Sequence, residues 1–200
     1  MEAVTGVVLA GGRSTRFGSD KASALLRGRP LLEWVVDAVA SACERVVVVK
    51  ARGQVLPAVH CPVPWVVVED IYEAQGPLAG LVAGFARVST PLAFATSCDS
   101  PLLVPALIAH LAAMADGYDV VCPEVGGRTQ PLAAIYRPDR CLPAFRESVE
   151  AGRLRIVAAF EDLRVRRVGE GEVAAADPRL LSFENANTPE RLAEIEGLHG

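Results

Sequence analysis

Val4-Thr5-Gly6-Val7-Val8-Leu9-Ala10-Gly11-Gly12, continued by Arg13-Ser14-Thr15-Arg16-Phe17-Gly18-Ser19-Asp20-Lys21, is the stretch that decides the fold. Val4 to Ala10 is a short apolar run closed by paired glycines, the pattern of a strand buried on both faces. Paired glycines let the chain turn sharply and approach a ligand without Cβ clashes. Successive N–H groups in such a turn make a nest for an anion. Arg16 and Lys21 follow with lasting positive charge, as a triphosphate requires. The spacing is neither that of a Walker loop nor that of the Gly-x-Gly-x-x-Gly dinucleotide fingerprint.

Outward from this stretch, short β-branched runs alternate with segments of helical period. Pro30 opens Leu31 to Ala42, where Glu33, Asp37 and Ser41 draw one polar stripe on an apolar helix. Val46 to Lys50 and Trp65 to Val68 read as strands, Pro77 to Val88 as a helix, and Leu92 to Ser97 as a strand. Ser100-Pro101 has the form of a hydroxyl cap followed by a first-turn proline, which predicts a helix from there to about Met114, interrupted at Pro105. Val120 to Cys122 and Leu132 to Tyr136 read as strands around Gly126-Gly127. Leu142 to Glu150 and a short segment ending near Phe160 read as helices, Leu163 to Val168 as a strand. Thr188-Pro189-Glu190 caps a last helix.

This alternation through Ala115 implies mostly parallel strands joined by right-handed crossovers, hence a three-layer α/β/α, Rossmann-like fold. Residues 1–200 are expected to form a single domain. In open parallel sheets ligands bind beyond the carboxyl ends of the strands, so candidate site residues belong just after strands.

Composition narrows the partners. A net charge of −4 with scattered arginines argues against nucleic acid. Arg164, Arg166 and Arg167 alternate with valine as one exposed strand face would. The five cysteines are odd in number and form no Cys-x-x-Cys pair, as expected of small core residues in a reducing cytosol. Neither a leader pattern nor an uncharged apolar run of ~18 residues occurs, so a cytoplasmic chain with no membrane partner is expected.

A second strand end carries Ser97-Cys98-Asp99-Ser100-Pro101. Magnesium takes one or two carboxylates, with water and phosphate oxygens completing its octahedron. Like charges ~4 Å apart repel by about 4 kcal/mol at an effective dielectric near 20, and a divalent ion between two phosphates removes that barrier. Asp99 is therefore the candidate Mg2+ ligand. Its alternative role is to cap the next helix, but Ser100 holds the better cap position.

Leu9-Ala10-Gly11-Gly12-x-Ser14-x-Arg16-Phe17-Gly18-x-Asp20-Lys21 resembles the signature of the molybdenum cofactor guanylyltransferases, the MobA family, within the nucleotidyltransferase superfamily. Phe17 departs from the family's methionine. The resemblance implies that GTP is the donor, that GMP passes to the phosphate of molybdopterin, and that pyrophosphate leaves. Arg16, Lys21 and Asp99 are then the catalytic residues, with Asp99 on the metal. Leu9, Ala10, Gly11 and Gly12, with Arg16 and Lys21, hold GTP. Val68-Glu69-Asp70 and Gln75-Gly76-Pro77-Leu78-Ala79-Gly80 resemble the family's nucleoside-lining segments, which carries Asp70, Pro77, Leu78 and Gly80 to the same ligand. Arg128-Thr129-Gln130-Pro131 and Phe183-Glu184-Asn185-Ala186-Asn187-Thr188-Pro189-Glu190 resemble acceptor-side segments and point to Gln130, Asn185 and Asn187. Amide side chains offer paired donors and acceptors to a pterin edge or a phosphate.

Family members can carry an asparagine just after the second strand. Val49-Lys50-Ala51-Arg52 has none, which leaves Lys50 or Arg52 for that contact, or a looser recognition of the base. The resemblance also implies other molybdenum cofactor biosynthesis proteins or recipient apoenzymes as partners. Two alternatives use the same features: a cytidylyl- or sugar-nucleotidyltransferase, and a GTP-binding module without chemistry. Gly12 and Asn185-Ala186-Asn187 speak against the first, Asp99 against the second.

Overall fold

The structure, a computed structural model, describes residues 2–11, 20–70, 72 and 75–198. The first strand, β1 (Val4–Leu9), is followed by a 3-10 turn (Lys21–Ser23) and a small hairpin, β2 (Leu25–Leu26) and β3 (Arg29–Pro30). Then come α1 (Leu31–Ala40), β4 (Arg45–Lys50), β5 (Trp65–Glu69), α2 (Pro77–Phe85), β6 (Leu92–Ser97) and α3 (Pro105–Ala112). The second half holds β7 (Val120–Val125), β8 (Arg128–Thr129), β9 (Ala133–Tyr136), α4 (Pro138–Glu150), β10 (Val165–Gly169), α5 (Glu170–Val173) and α6 (Pro189–Leu198).

The main sheet runs β10-β7-β9-β6-β1-β4-β5, with β8 attached to β7. β1 lies in its middle, parallel to β4 and to β6, and β4 is parallel to β5. Only β9, antiparallel to both β6 and β7, reverses the direction along the main path. The mixed, mostly parallel sheet flanked by helices is the α/β fold expected from the alternation.

Successive residues of β1 point to opposite faces. Val4 and Val8 join the core beneath α1 and α3, with Val35, Val39 and Leu107. Val7 and Leu9 join the core beneath α2 and α4, with Leu78, Leu81 and Phe85. In that second core Phe85, Tyr136 and Phe145 meet with ring centroids 5.2 to 5.8 Å apart. The Tyr136 hydroxyl donates to the carbonyl of Pro131 at 2.6 Å, which satisfies a buried polar group and fixes the chain before β9. A smaller cluster of Leu26, Leu31, Leu102, Ala186 and Ile195 ties the β2–β3 hairpin to α6.

Several local expectations change. No helix starts at Ser100-Pro101: residues 98, 99, 101 and 102 form turns, and α3 opens at Pro105 with Val104 before it. The reason is tertiary, since Leu102 and Leu103 are buried and the Ser100 hydroxyl is engaged elsewhere. α4 begins at Pro138, ahead of the expected Leu142, because proline again takes the first helical position. The arginines near β10 do not make one exposed face. Arg164 pairs with the buried carboxylate of Asp119 at 2.9 Å, Arg166 with Glu172 at 2.9 Å, and Arg167 with Glu124 at 3.5 Å. All five cysteines are free; Cys43, Cys98, Cys122 and Cys141 are buried, and burial pushes each of these thiols up to about 12. Among the described residues no helix is long and apolar enough to cross a membrane.

Candidate active site

The carboxyl ends of β5, β4, β1 and β6 stand side by side, and the chain leaves them at Asp70, Ala51, Ala10 and Cys98. Ala10 and Gly11 both donate to the carbonyl of Val49, at 2.8 and 3.2 Å. A Cβ on Gly11 would lie 2.7 Å from the Ala51 nitrogen, so only glycine lets the chain pass this close to the end of β4. Those two amides are thus spent within the sheet. Gly12 and Arg16 lie outside the described residues. Leu9 and Ala10 are buried, and Leu9 fills the space against Gly80, where a Cβ would come within 3.1 Å of it. Leu78 is wholly buried as well, so Leu9, Leu78 and Gly80 build the floor under the site.

Lys21 opens the 3-10 turn that Asp20 caps through the Ala22 N–H at 3.1 Å. Its ammonium donates to Asp99 at 2.8 Å and to the side-chain oxygen of Asn187 at 3.1 Å. The Asp99 side chain is only 14% exposed. Its other oxygen accepts from the Ser97 hydroxyl, and its backbone carbonyl accepts the Ala186 N–H at 2.7 Å. Ser100, buried, donates to the side-chain oxygen of Asn185 at 2.8 Å. Lys21, Asp99, Asn185 and Asn187, far apart in sequence, therefore form one bonded group. The segment carrying the asparagines is itself fixed by Asp177, whose buried carboxylate accepts the Leu181 and Ser182 N–H groups at 3.0 and 2.8 Å.

Beside this group opens a cleft of about 510 Å³, bounded by Pro77, Ser97, Asp99, Gln130, Asn185 and Asn187. Residues 154–157 line it as well, with Arg155 among them. Nothing in the sequence around Gly152 had marked Arg155, and Ser97 passed as a strand residue. Asp70 is not part of this cleft. It ends the edge strand, where its carboxylate accepts the Tyr72 N–H at 2.9 Å and burial raises its pKa. Its strand lies three strand spacings from that of Asp99, roughly 14 Å, a span an extended nucleoside triphosphate can bridge. Lys50 is committed to Glu69 at 3.2 Å and to the Gln54 carbonyl at 3.0 Å, and its charge holds the Glu69 carboxyl below the usual range.

Among the described residues no three His, Cys, Asp or Glu side chains converge as a metal cluster. A magnesium ion does not need one. A single carboxylate at the rim of an open cleft fits an ion that draws its other ligands from water and phosphates. Asp99 meets that description.

A mostly parallel sheet thus has lysine, aspartate and asparagine gathered at its carboxyl edge, the arrangement expected of a nucleotidyltransferase. Residues 6–166 match the family model of the MobA-like NTP transferase domain, and the chain belongs to that family. It is 38% identical over 198 residues to the molybdenum cofactor guanylyltransferase of Desulfosudis oleivorans, covering 98% of this chain and 96% of that protein. The crystal structure of molybdopterin-guanine dinucleotide biosynthesis protein A from Archaeoglobus fulgidus superposes with a TM-score of 0.79 at 23% identity, covering 98% of both chains. The 2-C-methyl-D-erythritol 4-phosphate cytidylyltransferase of Thermus thermophilus shares the fold at a TM-score of 0.71 and 19% identity, covering 100% of this chain and 99% of that one.

Proposed function

We propose that the protein transfers GMP from GTP to the terminal phosphate of molybdopterin, forming the guanine dinucleotide cofactor and releasing pyrophosphate. The bonded group of Lys21, Asp99 and Asn187 is the observation that carries this reading, because it sets a cation, a metal-type carboxylate and an acceptor-type amide on one edge. The relatives' names supply the substrates.

The acceptor phosphate attacks the α-phosphorus of GTP. It is already ionised near neutral pH, so no general base is required; catalysis rests on positioning and on charge. Lys21 and Arg16 hold the triphosphate, and the backbone from Leu9 to Gly12 borders the base and phosphates. Asp99 would hold magnesium, with Ser97 orienting the carboxylate. When bound, that ion supplies charge neutralisation between the two phosphates. Asp70 and Pro77 border the nucleoside, over the floor of Leu9, Leu78 and Gly80. Gln130, Asn185 and Asn187 face the acceptor across the cleft.

The same reading takes residues 1–200 as one domain in the cytoplasm, with other molybdenum cofactor biosynthesis proteins or recipient apoenzymes as partners. Pyrophosphate release, measured with molybdopterin and each of the four nucleotides, tests it. GTP alone should support turnover at low enzyme. A preference for CTP, or GTP binding with no pyrophosphate from any acceptor, refutes the guanylyl assignment.

A further inference from the structure

Gln54 lies in the turn after β4 and belongs to none of the motifs that suggested a function. Its side-chain amide is engaged at both ends. The oxygen accepts the Ala51 N–H at 2.9 Å. The nitrogen donates to the carbonyl of Ala10 at 3.0 Å and to both carboxylate oxygens of Asp20, at 2.9 and 3.0 Å. Ala10 and Asp20 flank the glycine- and arginine-bearing segment 11–19, so one side chain bridges the two flanks and roots them at the end of β4.

The turn is held in its own right. The Gln54 N–H donates to the Ala51 carbonyl at 3.1 Å, and the Gln54 carbonyl accepts from Lys50 at 3.0 Å. Lys50 is ion-paired with Glu69 of β5 at 3.2 Å. On the other side, Asp20 caps the turn that begins at Lys21, and Lys21 reaches Asp99 at 2.8 Å. A continuous series of bonded groups thus runs from Glu69 through Lys50, Gln54, Asp20 and Lys21 to Asp99.

We infer that Gln54 is a positioning residue for nucleotidyl transfer: through Asp20 it fixes where Lys21 stands relative to Asp99. The inference rests on the nucleotide reading of that site. The chemistry explains the residue type. Asp20 and Ala10 each need a donor while Ala51 needs an acceptor, and a carboxamide offers two N–H donors and an oxygen acceptor together. Glutamate would face Asp20 with a second carboxylate. Lysine would leave the Ala51 amide without a partner.

The test uses the full chain, steady-state kinetics and calorimetric titration with magnesium–GTP. In Gln54→Ala the KM for GTP should rise about tenfold, the scale of one lost hydrogen bond to a charged group, while the KM for molybdopterin holds. Gln54→Glu should be weaker still. Adding Asp20→Asn to Gln54→Glu should recover GTP affinity by about fivefold, because the introduced amide can donate to the introduced carboxylate. General loosening of the fold predicts the opposite, since a second substitution would add its own loss. A parental GTP KM in Gln54→Ala overturns the inference. So does a double variant no better than Gln54→Glu, and this comparison decides alone should Gln54→Ala lose its fold. If the parent takes CTP instead of GTP, the guanylyl assignment fails by itself and the same variants judge Gln54 with CTP.

Discussion

Asp99 is the residue on which the proposed chemistry turns. Its carboxylate sits beside Lys21 and Ser97, and its backbone carbonyl is bonded to Ala186, so a change of the carboxylate alone leaves the backbone contact in place. Asp99→Asn keeps the shape and loses the negative charge. Transfer should fall by at least about a hundredfold, as when a preorganised charge is removed from a transition state, with Tm almost unchanged. Turnover of GTP with molybdopterin, read alongside thermal unfolding, checks this. An Asp99→Asn protein with parental turnover would refute the metal assignment. Asp99 was legible in the sequence because a lone acid after an apolar strand has few structural uses. Gln54, Ser97 and Arg155 were not: Gln54 meets Asp20 across 34 residues, Arg155 meets the cleft only through the fold, and Ser97, two residues from Asp99, reads simply as the end of a strand.

At the scale of elements, strands were easier to read than helix starts. β1, β4 and β6 are apolar on both faces, and a doubly covered sheet permits little else. Ser100-Pro101 misled because cap chemistry is local, whereas the hydroxyl finds Asn185 across 85 residues. The same contact helps hold the segment that carries the asparagines. The segment from Leu181 to Asn187 hangs on the Asp177 carboxylate at one end and on the Asp99 carbonyl at the other. Asp177→Ala leaves two backbone N–H groups without their acceptor and should cost about 2 kcal/mol. It should also raise the KM for molybdopterin several-fold while GTP affinity stays near parental, as calorimetry with each substrate can show. Equal losses for both substrates would mean that the segment serves the whole site.

For the molecule as a whole, the ion pair between Asp119 and Arg164 fastens β10 to β7. Asp119 is 3% exposed, and the Arg164 guanidinium holds its carboxyl below the usual 3.8. A carboxyl whose folded pKa is depressed stabilises fully above its unfolded pKa and loses that contribution as pH falls through the folded one. Asp119→Asn should therefore lower Tm by roughly 4 °C at neutral pH, and the gap to the parent should close below about pH 4. Unfolding scans across that range decide it; a gap independent of pH would assign the loss to packing.

Lys21 and Asn187 meet across 166 residues of chain. The matched family region ends at residue 166, well short of that asparagine. During synthesis, a ribosome has therefore produced Lys21, Asp99 and the central strands before Asn185 and Asn187 leave its exit tunnel. A nascent polypeptide stalled after Arg179 would carry Lys21 and Asp99 without either asparagine, so the proposed pairing of Lys21 with Asn187 forms only once residues 185–187 have been translated.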